Sequence, residues 1–498
     1  MPGNKSSHIA GVATRGVLWL TGAKFYFMLT GVALLLALPA FFKKFHPAGH
    51  VELYGDYRTV IGLVNWFNMV LIGGTIQVVA KYVSEAPGRT DAVKWTTLRI
   101  QTVLGGGLTL LLFFGAGLLA RHAYGDEELA PFLRLAAPVV LLYSYYAVVI
   151  GCMNGLRRFK HQALMDIAFA TLKVGLTIGL VAAGLAISGA IGAFVATAAV
   201  MLGISWVVLG REGGAGTVAW REILSFEWKT LVYAFLLNGM LQIDVQILKA
   251  MAPERLGDSS LQTGIYAAAL QIGQLPYVAT LSVAFVIFPL ISQATFTRDR
   301  DRTRDYIRTT NRYSHLMLAA LATALACNAS GVLGLVYPQE YLAGAPMLAT
   351  LAVGYAFLAA AVISASILTA SGRPLESVGI FALTLGTSVL LNALLVPRFG
   401  GIGAARASVA AMALGYLGAT ALTWRRFQVA IPLPTIFRIG AAVAATWALG
   451  AYVIPEGGKL LTLVRGTVQF GFFWVVLIAT QELTKKDLEG LKATRLGG

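Results

Sequence analysis

Two lysines stand inside stretches that are otherwise apolar. Lys24 falls about a third of the way through one of them, and Lys173 lies near the middle of another, seven residues after Asp166. A charge at mid-bilayer costs at least about 2.5–3.5 kcal/mol on insertion scales, so it is kept where it faces a cavity or a partner. Asp166 and Lys173 share a helical face but stand about 10 Å apart at 1.5 Å per residue. Each therefore needs a partner from another helix. A further apolar stretch carries Asn238, Gln242, Gln246 and Lys249 at i, i+4, i+8 and i+11. That spacing makes one polar stripe, from which Asp244 points away. Gln271 and Gln274 follow in the next stretch, and Arg58, Asn65 and Asn68 occupy an earlier one.

Single amides commonly hold helices together by hydrogen bonds. Four aligned polar groups exceed what packing asks for and are read as lining a hydrated cavity. Cations offset phosphate charge and amides bond to hydroxyls, so Lys24, Arg58, Lys173 and Lys249 with these amides suit an anionic, hydroxyl-rich ligand. Asp166 and Asp244 are the candidates for carrying a coupling proton or sodium ion. A chamber for cationic drugs would want acidic and aromatic residues instead.

Other chemistry is not expected. Gly105-Gly106-Gly107 has no preceding strand and no following Gly-Lys-Ser/Thr, so it serves close helix contact and not phosphate binding. Cys152 and Cys327 lie in apolar stretches with no metal spacing and no disulfide framework. No Ser-His-Asp arrangement and no His/Glu/Cys cluster stands out, so no catalytic residue, metal or cofactor is assigned and the chain is not read as an enzyme.

The elements that position these residues follow from composition. Of 498 residues, 57% are hydrophobic and 12% charged, against about 25% charged in soluble domains. Too little polar surface is present to coat water-soluble domains of this size. A span needs about 20 mostly apolar residues, and that criterion predicts an all-α polytopic membrane protein with about fourteen spans. These are 13–41, 54–80, 96–120, 130–154, 162–187, 189–209, 229–251, 263–294, 313–337, 344–370, 376–396, 401–424, 434–454 and 460–481. The first, Ala13 to Phe41, is too long for a signal-peptide core and leads straight into further spans.

The formal charge of +16 is read as the Lys/Arg excess that membrane proteins keep in cytoplasmic loops, and not as a nucleic-acid surface. Basic clusters at Lys81–Arg99, Arg157–Lys160, Arg298–Arg312 and Arg425–Arg426 put both termini in the cytoplasm. An internal echo divides the chain. Gly155-Leu156-Arg157, then Ala190-Ile191-Gly192-Ala193, is matched by Gly372-Arg373-Pro374, then Gly401-Ile402-Gly403-Ala404, with the second stretch about six residues shorter. A repeat of six spans returns the chain to its starting side, so the halves are parallel repeats. The expected organisation is a six-helix lobe over 1–210, a cytoplasmic loop over 211–228, and a second six-helix lobe over 229–426. Two extra spans and a tail complete 427–498. Thr484-Lys485-Lys486-Asp487-Leu488 in the tail reads as a capping box.

Several stretches resemble the bacterial polysaccharide (O-antigen type) flippases of the multidrug/oligosaccharidyl-lipid/polysaccharide exporter superfamily, to which lipid II flippases also belong. They are Leu241-Gln242-Ile243-Asp244, Gly264-Ile265-Tyr266-Ala267-Ala268-Ala269-Leu270, Phe288-Pro289, Gly401-Ile402-Gly403-Ala404-Ala405 and Glu482 to Leu488. The resemblance implies two six-helix lobes facing each other across a central cavity that opens alternately to either side. The implied cargo is a polyprenyl-diphosphate-linked oligosaccharide, carried across a bacterial cytoplasmic (inner) membrane toward polysaccharide or lipopolysaccharide assembly. Membrane lipids and other polysaccharide-assembly membrane proteins are the implied partners, and nucleic acid is not one. This chain departs from the pattern at Gln242, where relatives often carry an Arg ahead of the span-seven Asp. If that Arg binds diphosphate, Lys24, Lys173 or Lys249 must substitute. The rival readings are a multidrug cation antiporter or a lipid II flippase of the same fold. A membrane-embedded polymerase or ligase would need a sizeable outer loop, which this chain lacks.

Overall fold

In a bilayer every backbone N–H and C=O must find its partner within the chain, and helices built from Ala, Leu, Val and Gly do so segment by segment. The structure, a computed structural model, describes residues 3–212, 218–296, 299–455 and 457–483, without the side chains of 3–18, 226, 229, 281–286, 288–290, 293 and 296. The capping box at Thr484–Leu488, Arg298 and the Phe288-Pro289 side chains lie outside that description. All regular elements among the described residues are helical.

The chain separates into two compact units, Met1–Gly264 and Ile265–Gly498. The first holds α1 (Gly3–Phe45), α2 (His50–Glu85), α3 (Thr90–Leu118), α4 (Leu129–Ala136) and α5 (Pro138–Gly155). It continues through α6 (Phe159–Leu180), α7 (Ala186–Leu209), α8 (Trp220–Met251) and the start of α9 (Ser259–Gly273). Here α2 is the central post, with α5 and α8 packed along it, while α1 packs on α6. The unit ends later than the lobe expected over 1–210, because α8 is joined to α2 by the polar contacts described below.

Glycine sets how closely α5 approaches α2. A Cβ on Gly151 would stand 2.7 Å from Val79 Cβ, and one on Gly155 2.7 Å from Val83 Cβ. One turn apart on α5, the two make the small-residue contact that lets membrane helices close.

The second unit holds α10 (Leu275–Phe296), α11 (Arg300–Cys327), α12 (Ala329–Val336), α13 (Ala345–Ala370), α14 (Pro374–Phe427), α15 (Leu433–Tyr452) and α16 (Lys459–Ala479). Its centre is α13, against which α10, α11 and α14 pack; α15 and α16 pair with each other and lean on α11. Buried Glu482 ties that pair down, bonded to Arg312 of α11 at 2.9 Å, Arg438 of α15 at 2.9 Å and Thr435 at 3.0 Å.

Among the described residues ten helices are long and apolar enough to cross a membrane, or eleven if α11 and α12, bent by 77°, form one span. This criterion does not reach the expected fourteen. Phe159–Leu209 and Pro374–Phe427 each count once, although their 51 and 54 residues would extend roughly 80 Å, over twice the hydrocarbon core. Each is interrupted, at Gly184 (φ 88°) and Ala186 (φ 42°) in one and at Gly400 (φ 59°) in the other. The expected span 263–294 is divided at Gln274 into α9 and α10.

The backbone corrects the register of the internal echo. After α5 the amides of Leu156, Arg157 and Arg158 bond to the carbonyls of Cys152, Asn154 and Met153. After α13 those of Ser371, Gly372 and Arg373 bond to Ile367, Thr369 and Leu368 in the same pattern. The following breaks also match, at Ala186 (φ 42°, ψ −127°) and Gly400 (φ 59°, ψ −137°). Gly189 and Gly403 hold equivalent places, each with no room for a Cβ against the helix before the break. Gly403-Ala404 thus answers Gly189-Ala190 and not Gly192-Ala193. The two stretches then differ by one residue in length and not by six.

Candidate functional site

Helix α1 supplies Lys24 and α6 supplies Asp166, and the packing of these two helices brings Lys24 Nζ to 2.8 Å from Asp166 Oδ2. The carboxylate is buried, whereas the lysine side chain is 58% exposed. Asp166 thus has the partner from another helix that its position demands. Lys173, further along α6, is half-buried with its Nζ 3.8 Å from the centre of the Phe194 ring on α7. That contact is a cation–π interaction.

Around these groups lies an aromatic cluster that the search for ionisable residues missed. Phe169 packs with Phe27, Tyr143, Tyr146 and Phe194 at centroid distances of 4.9 to 6.4 Å. Its sequence signal was present in the Tyr143-Ser144-Tyr145-Tyr146 run of α5. Lys173 therefore rests on the edge of a largely buried aromatic cluster, in which Phe169, Phe194 and Tyr146 are nearly inaccessible.

The stripe on α8 divides into two parts. Asn238 donates to the Ala234 carbonyl of its own helix at 2.9 Å and is half-buried, as is Gln242. Gln246 is buried, accepting from Tyr124 Oη at 2.6 Å and donating to the Thr59 carbonyl of α2 at 3.2 Å. Gly62 of α2 makes this fit possible, since a Cβ there would stand 2.9 Å from Gln242 Oε1 and 3.0 Å from Gln246 Nε2. Lys249 is sealed, with Nζ 2.8 Å from Asp56 Oδ1, 2.7 Å from Asp126 Oδ2 and bonded to Ser260 Oγ. Gln246 and Lys249 thus join α8 to α2 and the Tyr124–Asp126 segment, and all three N–H donors of Lys249 are engaged.

The sequence reading passed over Asp56, Asp126 and Ser260, which lie near helix ends. Charge balance could have found them: a lysine at the end of an apolar helix calls for carboxylates from neighbouring helix ends. Asp244 is buried and accepts from the Val245 amide at 2.8 Å. Arg58 is also buried, on α2. In the second unit Gln271 is buried, and Gln274 donates to Tyr355 Oη at 3.1 Å.

A second polar knot joins α8 to α2 and α3 just before the spanning part of α8. Glu227 Oε1 accepts from Thr75 Oγ1 at 2.9 Å and from Gln101 Nε2 at 2.9 Å. Glu227 is fully buried. Burial pushes its carboxyl above the ordinary value, opposed by the bonds from Thr75 and Gln101. No group of three or more His, Cys, Asp or Glu among the described residues is placed to hold a metal ion.

Comparison with known proteins identifies the family to which the chain belongs. Residues 53–346 match the family described as "Polysaccharide biosynthesis protein". The chain is 24% identical over 431 residues to the "Uncharacterized membrane protein YabM" of Bacillus subtilis, covering 79% of this chain and 78% of that one. It is 22% identical over 488 residues to the "Probable flippase AglR" of Haloferax volcanii, covering 90% and 93%. Among solved structures it is similar to "Lipid II flippase MurJ, inward closed conformation", with a TM-score of 0.76 and 13% identity, covering 93% of this chain and 99% of that one. At that identity the likeness is one of fold.

Proposed function

Since the chain belongs to the family of polysaccharide biosynthesis proteins, a multi-pass membrane family, we propose that it carries a polyprenyl-diphosphate-linked oligosaccharide across the membrane by alternating access. The observation that carries this reading is Lys24: a cation within a spanning helix, 58% exposed where burial in lipid would be costly. The diphosphate takes Lys24 and Lys173, the half-buried amides of Asn238 and Gln242 bond to sugar hydroxyls, and the lipid tail stays in the bilayer. Alternating access then exposes the cargo to one side of the membrane and afterwards to the other. The similarity to a protein named as a probable flippase supports the reading.

The ion pair also offers a route to coupling. When phosphate draws Lys24 away, Asp166 is left as a buried carboxylate without its cation. A proton or a sodium ion then has to neutralise it. Asp244, buried on α8, is the other acid able to carry such an ion.

Proteoliposomes loaded with labelled lipid-linked oligosaccharide test this directly. Lys24→Ala/Lys173→Ala should abolish outward transfer while the protein stays in the membrane; transfer at the wild-type rate rejects the assignment. The aromatic cluster around Phe169 favours a second reading, a cation antiporter of the same fold. Drug-resistance assays on the same variants separate the two, and lipid II offered as cargo tests the third.

A further inference from the structure

A cavity of about 600 Å³ in the second unit is lined by four arginines: Arg300, Arg304, Arg373 and Arg426. The lining holds one carboxylate, Asp299, and the hydroxyls of Thr295, Thr303 and Ser371. It lies where α10 ends, α11 begins, and the two ends of α14 meet, on the side that the basic-residue bias assigns to the cytoplasm. It is separate from Lys24, Asp166 and Lys173, which belong to the first unit.

The partners of these groups decide what the cavity can hold. Asp299 caps α11 by accepting from the Arg302 amide at 3.0 Å. Arg304 Nε donates to the Phe427 carbonyl at 2.9 Å, which fixes its guanidinium at the rim. Arg373 and Arg426 share one carboxylate, Glu376, at 3.2 and 2.6 Å. Arg300 has no side-chain partner among the described residues. Among the described residues, two carboxylates thus face four guanidiniums, which leaves a positive excess. The Thr303 and Ser371 hydroxyls donate to backbone carbonyls at 2.7 and 2.8 Å. The Thr295 hydroxyl is buried with no hydrogen-bond partner among the described residues.

We propose that this cavity binds a phosphate group, as borne by an anionic phospholipid headgroup. Planar guanidiniums match phosphate oxygens two at a time, and basic pockets between spanning helices on the cytoplasmic side take anionic headgroups. Arg300 supplies the open fork, Arg373 and Arg426 add charge from the ends of α14, and Thr295 offers a donor. A bound headgroup would fasten α11 to α14.

The test uses the full chain, purified in detergent, with two probes: phosphatidylglycerol against phosphatidylcholine, read by native mass spectrometry, and inorganic pyrophosphate, read by calorimetry. Selective retention of phosphatidylglycerol identifies a headgroup site, and pyrophosphate binding alone identifies a soluble phosphate as the ligand. Arg300→Gln should weaken the bound probe about tenfold and Arg300→Gln/Arg373→Gln further. Arg308→Gln, exposed on α11 outside the lining, should leave binding unchanged. Arg300→Gln removes no contact among the described residues, so it reads binding even if the double variant folds poorly. Binding of neither probe overturns the proposal. So does an equal loss in Arg308→Gln, which would mean diffuse surface charge and no site.

Discussion

Removing the buried lysine of α8 should unfasten the first unit. Lys249 is completely inaccessible and contacts Asp56 and Asp126 at 2.8 and 2.7 Å. At an effective dielectric of about 20, each contact is worth roughly 6 kcal/mol before desolvation. Most of that offsets the cost of burying the lysine and partly desolvating the two carboxylates, so the net contribution is small. Lys249→Met removes the attraction and leaves Asp56 and Asp126, 18% and 23% exposed, side by side without their cation. Breaking a buried pair from one side costs about 3–5 kcal/mol. For a unit of this size that is a fall in midpoint on the order of 10 °C. Thermal unfolding of the purified protein, followed by tryptophan fluorescence, measures it. Lys249→Met/Asp56→Asn/Asp126→Asn removes every charge, and most of the loss should be recovered. If Lys249→Met melts with the wild type, or the triple variant melts as low as the single one, the knot is not a fastening and this reasoning fails.

Glu482 should make stability sensitive to acid. Burial would raise its carboxyl, but bonds from Arg438, Arg312 and Thr435 hold it below its ordinary value of 4.5. Its contribution is therefore complete above that value and is lost as pH falls through the lower, folded one; the gap between wild type and Glu482→Gln in thermal scans should close as pH drops below 4.5. Glu227 should behave oppositely. Burial lifts its carboxyl above 4.5, so folded-state stability falls as pH rises from 4.5 through the raised value. Glu227→Gln, which keeps the neutral shape, should gain on the wild type across that window in the same scans. Gly151→Val should cost about 1–3 kcal/mol because Val79 occupies the space; an unchanged midpoint would mean that α5 and α2 are not closely packed. Asp166→Asn should keep the protein folded, since the Lys24 side chain is 58% exposed, while removing the pH or sodium dependence of cargo transfer in proteoliposomes if Asp166, and not Asp244, carries the ion.

The helical membrane class could be read from the chain alone, because 57% hydrophobic residues leave the backbone no partner but itself. The cost of the charges at Lys24, Asp166 and Lys173 was also legible, since a charge within an apolar run is costly wherever the helix ends up. So was the need of Asp166 for a partner. What each polar group faces was not legible. Helical spacing put Gln242, Gln246 and Lys249 on one stripe, but spacing fixes only direction about a single axis. The packing of α8 on α2 sealed Gln246 and Lys249 while leaving Gln242 half-open. The partners of Lys249 come from residues far apart along the chain, Asp56, Asp126 and Ser260, and such closure depends on how helices cross. The register of the internal repeat was likewise misread from Gly and Ala letters that recur everywhere in such a chain. Backbone dihedrals at Ala186 and Gly400 settled it, because a left-handed break is a property of the folded turn and not of the letters that spell it.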